Sequence, residues 1–252
     1  MADPKVYLLN HGSLVIDKSQ VLWHIGIGTP VRFPVYSVLI EHADGLVLYD
    51  SGYDLEHVEK VLPFELPEQT PEQTLVGQLA LVGYKPEDVD IMINSHFHFD
   101  HVGGNKFLTN AKTVVHKEEV SHLRAPEPFE RLGYSDKSFD PTANYHYISG
   151  DDYELMSGIR LFETPGHTAG HYSMLVELSS STSMLFAGDA AYTQESLDKE
   201  IIAGFHLDPV ASVESIRRLK YLAGVHKADL YPSHDMESFE KWQHAPKFYG
   251  GK

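Results

Sequence analysis

Residues 93–105, INSHFHFDHVGGN, carry three histidines and an aspartate within the six positions 96 to 101. Imidazoles and carboxylates are hydrogen-bonding groups, and together they are ligands for divalent metals. A lone histidine beside Phe97 and Phe99 would read as a satisfied core residue. Three histidines and an aspartate at this spacing would each need a buried partner, and a metal site supplies one to all of them. Along an extended chain His96, His98 and Asp100 share one face while Phe97 and Phe99 share the other. His101 then follows at a turn, which Gly103 and Gly104 would allow before a short helix.

Three later segments present similar groups at strand ends. FETPGHTAGH places His167 after a strand and a Pro-Gly turn, LFAGDAAY ends an apolar strand in Asp189, and LYPSHD ends another in His234. Singly, these are loop histidines and a turn or cap aspartate. Together with the first motif they make five histidines and two aspartates, all where a sheet edge could gather them. The chain has no cysteine, which excludes disulfides, thiolate zinc sites and a cysteine nucleophile, so any metal is held by nitrogen and oxygen.

The elements that must position these groups follow from pattern. KVYLLN, PVYSVLIEH and LVLYDSG read as strands, the last two joined by a tight hairpin at Asp44-Gly45. DLEHVEKVL predicts a helix, and TPEQTLVGQLALVGY a second with Thr70 as N-cap, Pro71 at its first position and Gln73 near the capping-box site. EDVDIMINS is a short apolar strand of the kind covered on both faces. AKTVVH, IRLFETPG, HYSMLVEL, SMLFAGD and KADLYPSHD continue the strand series. DPVASVESIRRLKYLAG predicts a helix capped by Asp208 with Val213, Ile216, Leu219 and Leu222 on one stripe. Hairpins among alternating strands and helices favour two mixed sheets packed together with helices outside. The segments PFELPEQTP and 125–146 are the weakest in ordering signal and are candidate pocket walls.

The 252 residues suit a single domain spanning 1–252. Twenty Lys and Arg against 36 Asp and Glu give a net charge of −16, which disfavours nucleic acid as a partner. No apolar run is long enough for a membrane span, and no signal-peptide pattern opens the sequence, so the expected location is the cytoplasm.

The set H-x-H-x-D-H followed by a later His, Asp and His resembles the metallo-β-lactamase superfamily, and LVLYDSG resembles that superfamily's early Asp-Ser/Thr-Gly strand end. The resemblance covers nearly the whole chain. It implies an α+β fold, an αββα sandwich with a two-metal site along one edge of its sheets. By the same resemblance, His96, His98 and His167 would hold one metal, Asp100, His101 and His234 the other, and Asp189 would bridge them. Asp50 would brace the site from behind. Such ligands suit two divalent ions, Zn²⁺ first, with Fe²⁺, Mn²⁺ and Co²⁺ also compatible. A metal pair lowers the pKa of a shared water toward about 7, so the reaction class is hydrolysis.

Zinc β-lactamases of the commonest type need a cysteine ligand, RNA-processing members present basic surfaces, and glyoxalase II carries an added C-terminal region. The finer resemblance is to the lactonase branch, through GYKPEDVD, SHFHFDHVGGN, TPGHTAGHYSML, DAAYTQESL and SVESIRRLK. It implies an N-acyl-homoserine lactonase (quorum quenching). A 4-pyridoxolactonase or another small-lactone hydrolase is the alternative, through RFPVYSVLIEH, PFERLGYSD and FHLDPVASV. A metal-binding protein without hydrolysis is a third reading, against which the complete ligand set and Tyr192 count. In that branch a tyrosine three residues after the bridging aspartate faces the substrate, which is Tyr192 here, and Asp100 doubles as the acid that protonates the leaving alkoxide. Phe64, Phe107, Phe129, Tyr134 and His206 are candidate substrate-pocket residues, and Arg131 and Lys137 candidate partners for a substrate anion. A homodimer is suggested by family analogy alone.

Overall fold

The computed structural model describes residues 3–135 and 143–251, so Lys137 lies outside the described residues. The first half contains β1 (Lys5–Asp17), α1 (Lys18–Val21), β2 (Pro30–His42), β3 (Gly45–Tyr49), α2 (Leu55–Val61), α3 (Leu75–Leu81), β4 (Ile91–Ile93), α4 (Phe99–Val102), β5 (Lys112–His116) and α5 (Lys117–Leu123). The second half contains β6 (Tyr145–Ile148), β7 (Tyr153–Met156), β8 (Ile159–Glu163), β9 (Tyr172–Val176), β10 (Ser183–Gly188), α6 (Gln194–Lys199), α7 (Pro209–His226), β11 (Ala228–Pro232), α8 (Met236–Phe239) and β12 (Tyr249–Gly250).

Among the described residues the strands form two sheets. One has the order β12-β1-β2-β3-β4-β5-β6, the other β11-β10-β9-β8-β7. Both are mixed: β3 to β6 run parallel in the first, and β10 and β11 are parallel in the second. The two-residue period of the strands sorts their apolar side chains into layers. Val6, Leu8, Val38, Ile40, Val47 and Tyr49 of the first sheet meet Tyr172, Met174, Val176, Met184 and Phe186 of the second in a shared core. The intervening residues Tyr7, Leu9, Leu39, Leu46 and Leu48 face outward and are covered by Leu75 and Leu79 of α3. On the other flank Leu175, Leu185 and Ala187 are covered by Ile216, Leu219 and Leu222 of α7. The result is the expected αββα sandwich, with strands buried on both faces.

Three local expectations are corrected. Thr70 does cap, but it caps a single 3₁₀ turn, Pro71–Gln73, whose Gln73 Oε1 accepts from the Thr70 N–H at 2.8 Å. The helix starts afresh at Leu75, where Thr74 Oγ1 accepts from the Gly77 N–H. Two Thr caps four residues apart split what periodicity alone reads as one helix.

The 93–101 run is not extended throughout. β4 ends at Ile93, and α4 begins at Phe99, so the strand alternation stops at His98. Phe97 packs with Val102, Val115 and Val120, whereas Phe99 joins a separate cluster with Leu14, Phe33 and Tyr53.

Gly103 and Gly104 lie between this helix and the short 3₁₀ helix Asn105–Phe107, but their φ values of −61° and −87° need no glycine freedom. Their requirement is space. A Cβ on Gly103 would collide with the backbone of Tyr53 and Asp54, and one on Gly104 with the Ser51 carbonyl and Leu75.

Candidate active site

The edge where the strands of both sheets end collects the chemistry. Asp50 follows β3, His96 and His98 follow β4, Asp100 and His101 lie on α4, His167 follows β8, Asp189 follows β10 and His234 follows β11. All of these residues are buried. His96, His98, His167 and Asp189 form one group whose ligand atoms lie within 4.8 Å of one another, and Asp100, His101 and His234 form a second. Asp189 faces both. Its Oδ1 is 3.1 Å from Nε2 of His101 and 3.1 Å from Nε2 of His234, while its Oδ2 is 3.3 Å from Nε2 of His167 and 3.8 Å from Nε2 of His96. Asp100 Oδ2 lies 3.6 Å from His101 Nε2 and 3.5 Å from His234 Nε2.

The ring nitrogens away from the cluster have fixed partners. His101 Nδ1 is 2.7 Å from Asp50 Oδ2, His234 Nδ1 3.0 Å from the Pro34 carbonyl, and His167 Nδ1 2.7 Å from the Phe205 carbonyl. His96 Nδ1 lies 2.9 Å from Ser95 Oγ. His98 is turned the other way, with Nδ1 2.8 Å from Nε2 of His167. Outer nitrogens held in this manner set ring orientation and tautomer, leaving the inner nitrogen as a lone-pair donor. Asp50 is itself anchored: it accepts from the Ser95 N–H and Ser95 O–H at 2.8 Å each, and its backbone takes a left-handed φ of 60°.

Burial pushes His96 and His98 well below the ordinary imidazole range, and neighbouring histidines add to it, so both are neutral. Burial also disfavours charge on His101, but Asp189, Asp100 and Asp50 outweigh it and raise its pKa well above the ordinary value. The Asp189 carboxyl is driven well below its usual range by His101, His234 and His167 despite its burial. Nε2 of His96, Nε2 of His101 and Oδ1 of Asp189 are buried without a hydrogen-bond partner. Buried polar atoms normally find partners, and these converge on one another at a single point of the edge. The donor set fits divalent metal ions.

A cavity of about 430 Å³ opens onto this edge. His98, Asp100, His167, His234 and Tyr192 form its floor, and Phe33, Phe64, Phe129, Leu132 and Phe205 line apolar walls with His206. Tyr192 is buried, its ring 4.7 Å from that of His234 and 5.8 Å from that of His167. Burial, then the Asp189 carboxylate, raise its phenol well above the ordinary range, so it is an O–H donor.

Of the residues expected in a substrate pocket, Phe64, Phe129 and His206 line this cavity. Tyr134 does not, but packs its ring 4.9 Å from His98 and so backs the floor. Phe107 is misplaced by the expectation. It is 41% exposed, lies beneath the Lys106 ammonium, and belongs to a separate depression beside Gly103 and Thr74. The 3₁₀ turn Asn105–Phe107 that follows α4 carries it away from the cavity. Arg131 is exposed and does not line the cavity either.

Three contributors escape sequence reasoning. His171 accepts from the Asp189 N–H at 2.9 Å through Nε2 and meets Thr164 Oγ1 at 2.8 Å through Nδ1, so it holds the backbone of the central aspartate. Its position four residues after His167, in GHTAGH, was the available signal. Phe205 supplies the carbonyl that orients His167, and nothing in its local sequence announces that. The third is Glu65, which lies in the cavity wall at 6% exposure.

The chain belongs to the metallo-β-lactamase superfamily, whose pattern it matches over residues 30–234, a span that takes in every residue of the two clusters. Its similarity to individual members runs nearly end to end. It is 34% identical to the N-acyl homoserine lactonase AiiA of Bacillus thuringiensis subsp. kurstaki, over 98% of this chain and 100% of that protein. It is 31% identical to the N-acyl homoserine lactonase AttM of Rhizobium radiobacter, over 99% of this chain and 100% of that protein. The fold superposes with a TM-score of 0.89, at 33% identity and over 98% of this chain and 100% of the other, on a solved N-acyl homoserine lactone hydrolase with the product N-hexanoyl-L-homoserine bound at its catalytic metal centre.

Proposed function

We propose that this chain is a two-metal lactonase that hydrolyses the ring ester of N-acyl-homoserine lactones. The observation that carries the reading is the meeting, in one cavity, of the two ligand clusters, the Tyr192 phenol and an apolar wall of phenylalanines. Full-length similarity to named N-acyl homoserine lactonases supports the choice of substrate. His96, His98 and His167 would hold one divalent ion and Asp100, His101 and His234 the other, with Asp189 reaching both. Zn²⁺ suits this mixture of imidazole and carboxylate. Bound there, a metal pair supplies a water deprotonated near neutral pH and polarises the ring carbonyl.

The chain's own residues do the rest. Tyr192 donates its O–H to the carbonyl oxygen as that oxygen gains charge, a contribution of about 3 kcal/mol in comparable oxyanion sites. Asp100, at the cavity floor, would take the proton that the attacking water loses and pass it to the alkoxide oxygen as the ring ester bond breaks. Phe64, Phe129 and Phe205 receive the acyl chain and keep bulk water from it. The product is the open hydroxy acid. A pH-indicator assay of ring opening over acyl-homoserine lactones of several chain lengths tests the reading, and no acid release from any of them would overturn it.

A second reading, a lactonase for a flat ring-fused lactone such as 4-pyridoxolactone, draws support from the aromatic walls together with the carboxyl of Glu65 at their base. The same assay with that lactone separates the two.

A further inference from the structure

Among the described residues, three carboxyl groups line the cavity: Glu65, Asp100 and Glu130. Two have evident employment. Asp100 belongs to the second ligand cluster, and Glu130 Oε1 is held by His122 and by the Glu127 N–H. Glu65 belongs to neither ligand cluster, is 94% shielded from solvent, and its Oε2 is buried without a hydrogen-bond partner. A buried carboxyl left unpaired costs roughly 1–3 kcal/mol or more relative to a satisfied one.

The local fold holds it in that position. Glu65 closes the 3₁₀ turn Pro63–Glu65, its N–H donates to the Leu62 carbonyl at 2.9 Å, and Leu66 follows in a left-handed conformation at φ 44°. A few residues on, Glu68 pairs with Ser13 of β1 through two backbone hydrogen bonds of 2.9 Å. The segment is thus tied to the sheet, and Glu65, buried, lines the cavity together with Leu62, Phe64 and Asp100.

We infer that Glu65 is a specificity-determining residue, whose carboxyl hydrogen-bonds a polar group that the substrate carries outside its ester. In an acyl-homoserine lactone that group is the exocyclic amide, and in a pyridine-fused lactone it is the ring nitrogen or hydroxyl. The assignment rests on the lactonase reading but not on which of the two lactones is cleaved. A site that pairs a buried polar group with the substrate rejects an analogue lacking the partner far more strongly than an apolar pocket rejects a missing methylene.

The test compares kcat/KM for lactones that carry that polar group with lactones that lack it. An acyl-homoserine lactone is set against an alkyl γ-lactone of equal length without the amide, and 4-pyridoxolactone against phthalide. Wild-type protein, Glu65→Met and Glu65→Gln are assayed after metal reconstitution, with bound metal and melting temperature recorded. Glu65→Met should lower the polar-to-apolar ratio by about tenfold or more, and Glu65→Gln, which keeps the shape and some hydrogen-bonding capacity, by less. An unchanged ratio in both variants overturns the assignment. So does an equal loss on both members of a pair, the mark of a merely structural role. If Glu65→Met does not fold, the ratio for Glu65→Gln decides alone, a fall supporting the assignment and no change overturning it. Wild-type protein that opens 4-pyridoxolactone but no acyl-homoserine lactone overturns the acyl-homoserine reading only, and Glu65 is then judged on the phthalide pair. Wild-type protein that opens neither lactone overturns both.

Discussion

Asp50 Oδ2 lies 2.7 Å from Nδ1 of His101, and this contact turns the opposite ring nitrogen, Nε2, to within 3.1 Å of Asp189 Oδ1. Asp50 reaches no ligand cluster itself, yet it decides which way a ligand faces. Asp50→Asn can keep the Ser95 contacts but presents an amide where the imidazole needs an acceptor. Metal affinity should fall about 10–100-fold, the usual cost of losing such a partner. Titration of the metal-loaded protein with a competing chelator, followed by metal counting, reads this directly.

Asp189 faces both ligand groups, so Asp189→Ala should remove more than one ion's worth of binding. Mass spectrometry after reconstitution should find two metals per chain in wild-type protein and fewer in the variant. Exhaustive chelation of wild-type protein should abolish hydrolysis and lower the melting temperature, because ions that bind only the folded chain stabilise it by mass action. Activity that survives complete metal removal would contradict the proposed chemistry.

Tyr192→Phe keeps the ring that packs on His234 and removes only the O–H. Turnover should drop by about 10²-fold, as for loss of one oxyanion donor, with metal content unchanged. If the variant loses metal in proportion to activity, Tyr192 is structural instead.

His11 gives a pH signature independent of the metal site. It is buried, with Nδ1 3.0 Å from the Gln73 carbonyl and Nε2 2.7 Å from Ser37 Oγ, and burial pushes it down to about 4 from an ordinary 6.5. As pH falls below 6.5 the unfolded chain takes up this proton and the folded one does not. Stability is therefore lost progressively from pH 6.5 to about 4, by at most about 3.4 kcal/mol. Urea midpoints across that range should fall more steeply for wild-type protein than for His11→Asn, and parallel slopes would refute the assignment.

Gly103→Ala tests the packing that positions α4. The added methyl would meet the backbone of Tyr53 and Asp54, neither of which can yield as a side-chain tip can. The expected cost is about 1–3 kcal/mol of stability, together with reduced activity because α4 carries Asp100 and His101. Thermal melting and the ring-opening assay check both parts.

Much of the site was legible because its residue types carry their chemistry with them. Histidine and aspartate clustered at predicted strand ends have few other uses, and the structure gathers His96, His98, Asp100, His101, His167, Asp189 and His234 along one edge. Likewise Asp208 caps α7 by accepting from the Val210 and Ala211 N–H groups, and of the expected stripe Ile216, Leu219 and Leu222 are buried and Val213 partly so, beside Ser212 and Ser215. Caps and apolar stripes depend on neighbours within one or two turns, so local pattern reports them faithfully.

The substrate pocket was less legible, because a phenylalanine in a loop has no periodicity to say which way it points. Phe64 and Phe107 looked alike in sequence, yet one lines the cavity and the other sits on a different face. Glu65 carried no mark beyond its place in a proline-flanked loop. The sequence by itself determined the ligand chemistry, the exclusion of thiolate sites and the two-sheet layering, since each is written in residue identity or in short-range period. The tertiary structure alone decided that Asp50 orients His101, that His171 holds Asp189, and that Glu65 faces the cavity. These depend on side chains 18 to 51 positions apart and on loops laid beside the ligand edge, and no local spacing encodes such crossings.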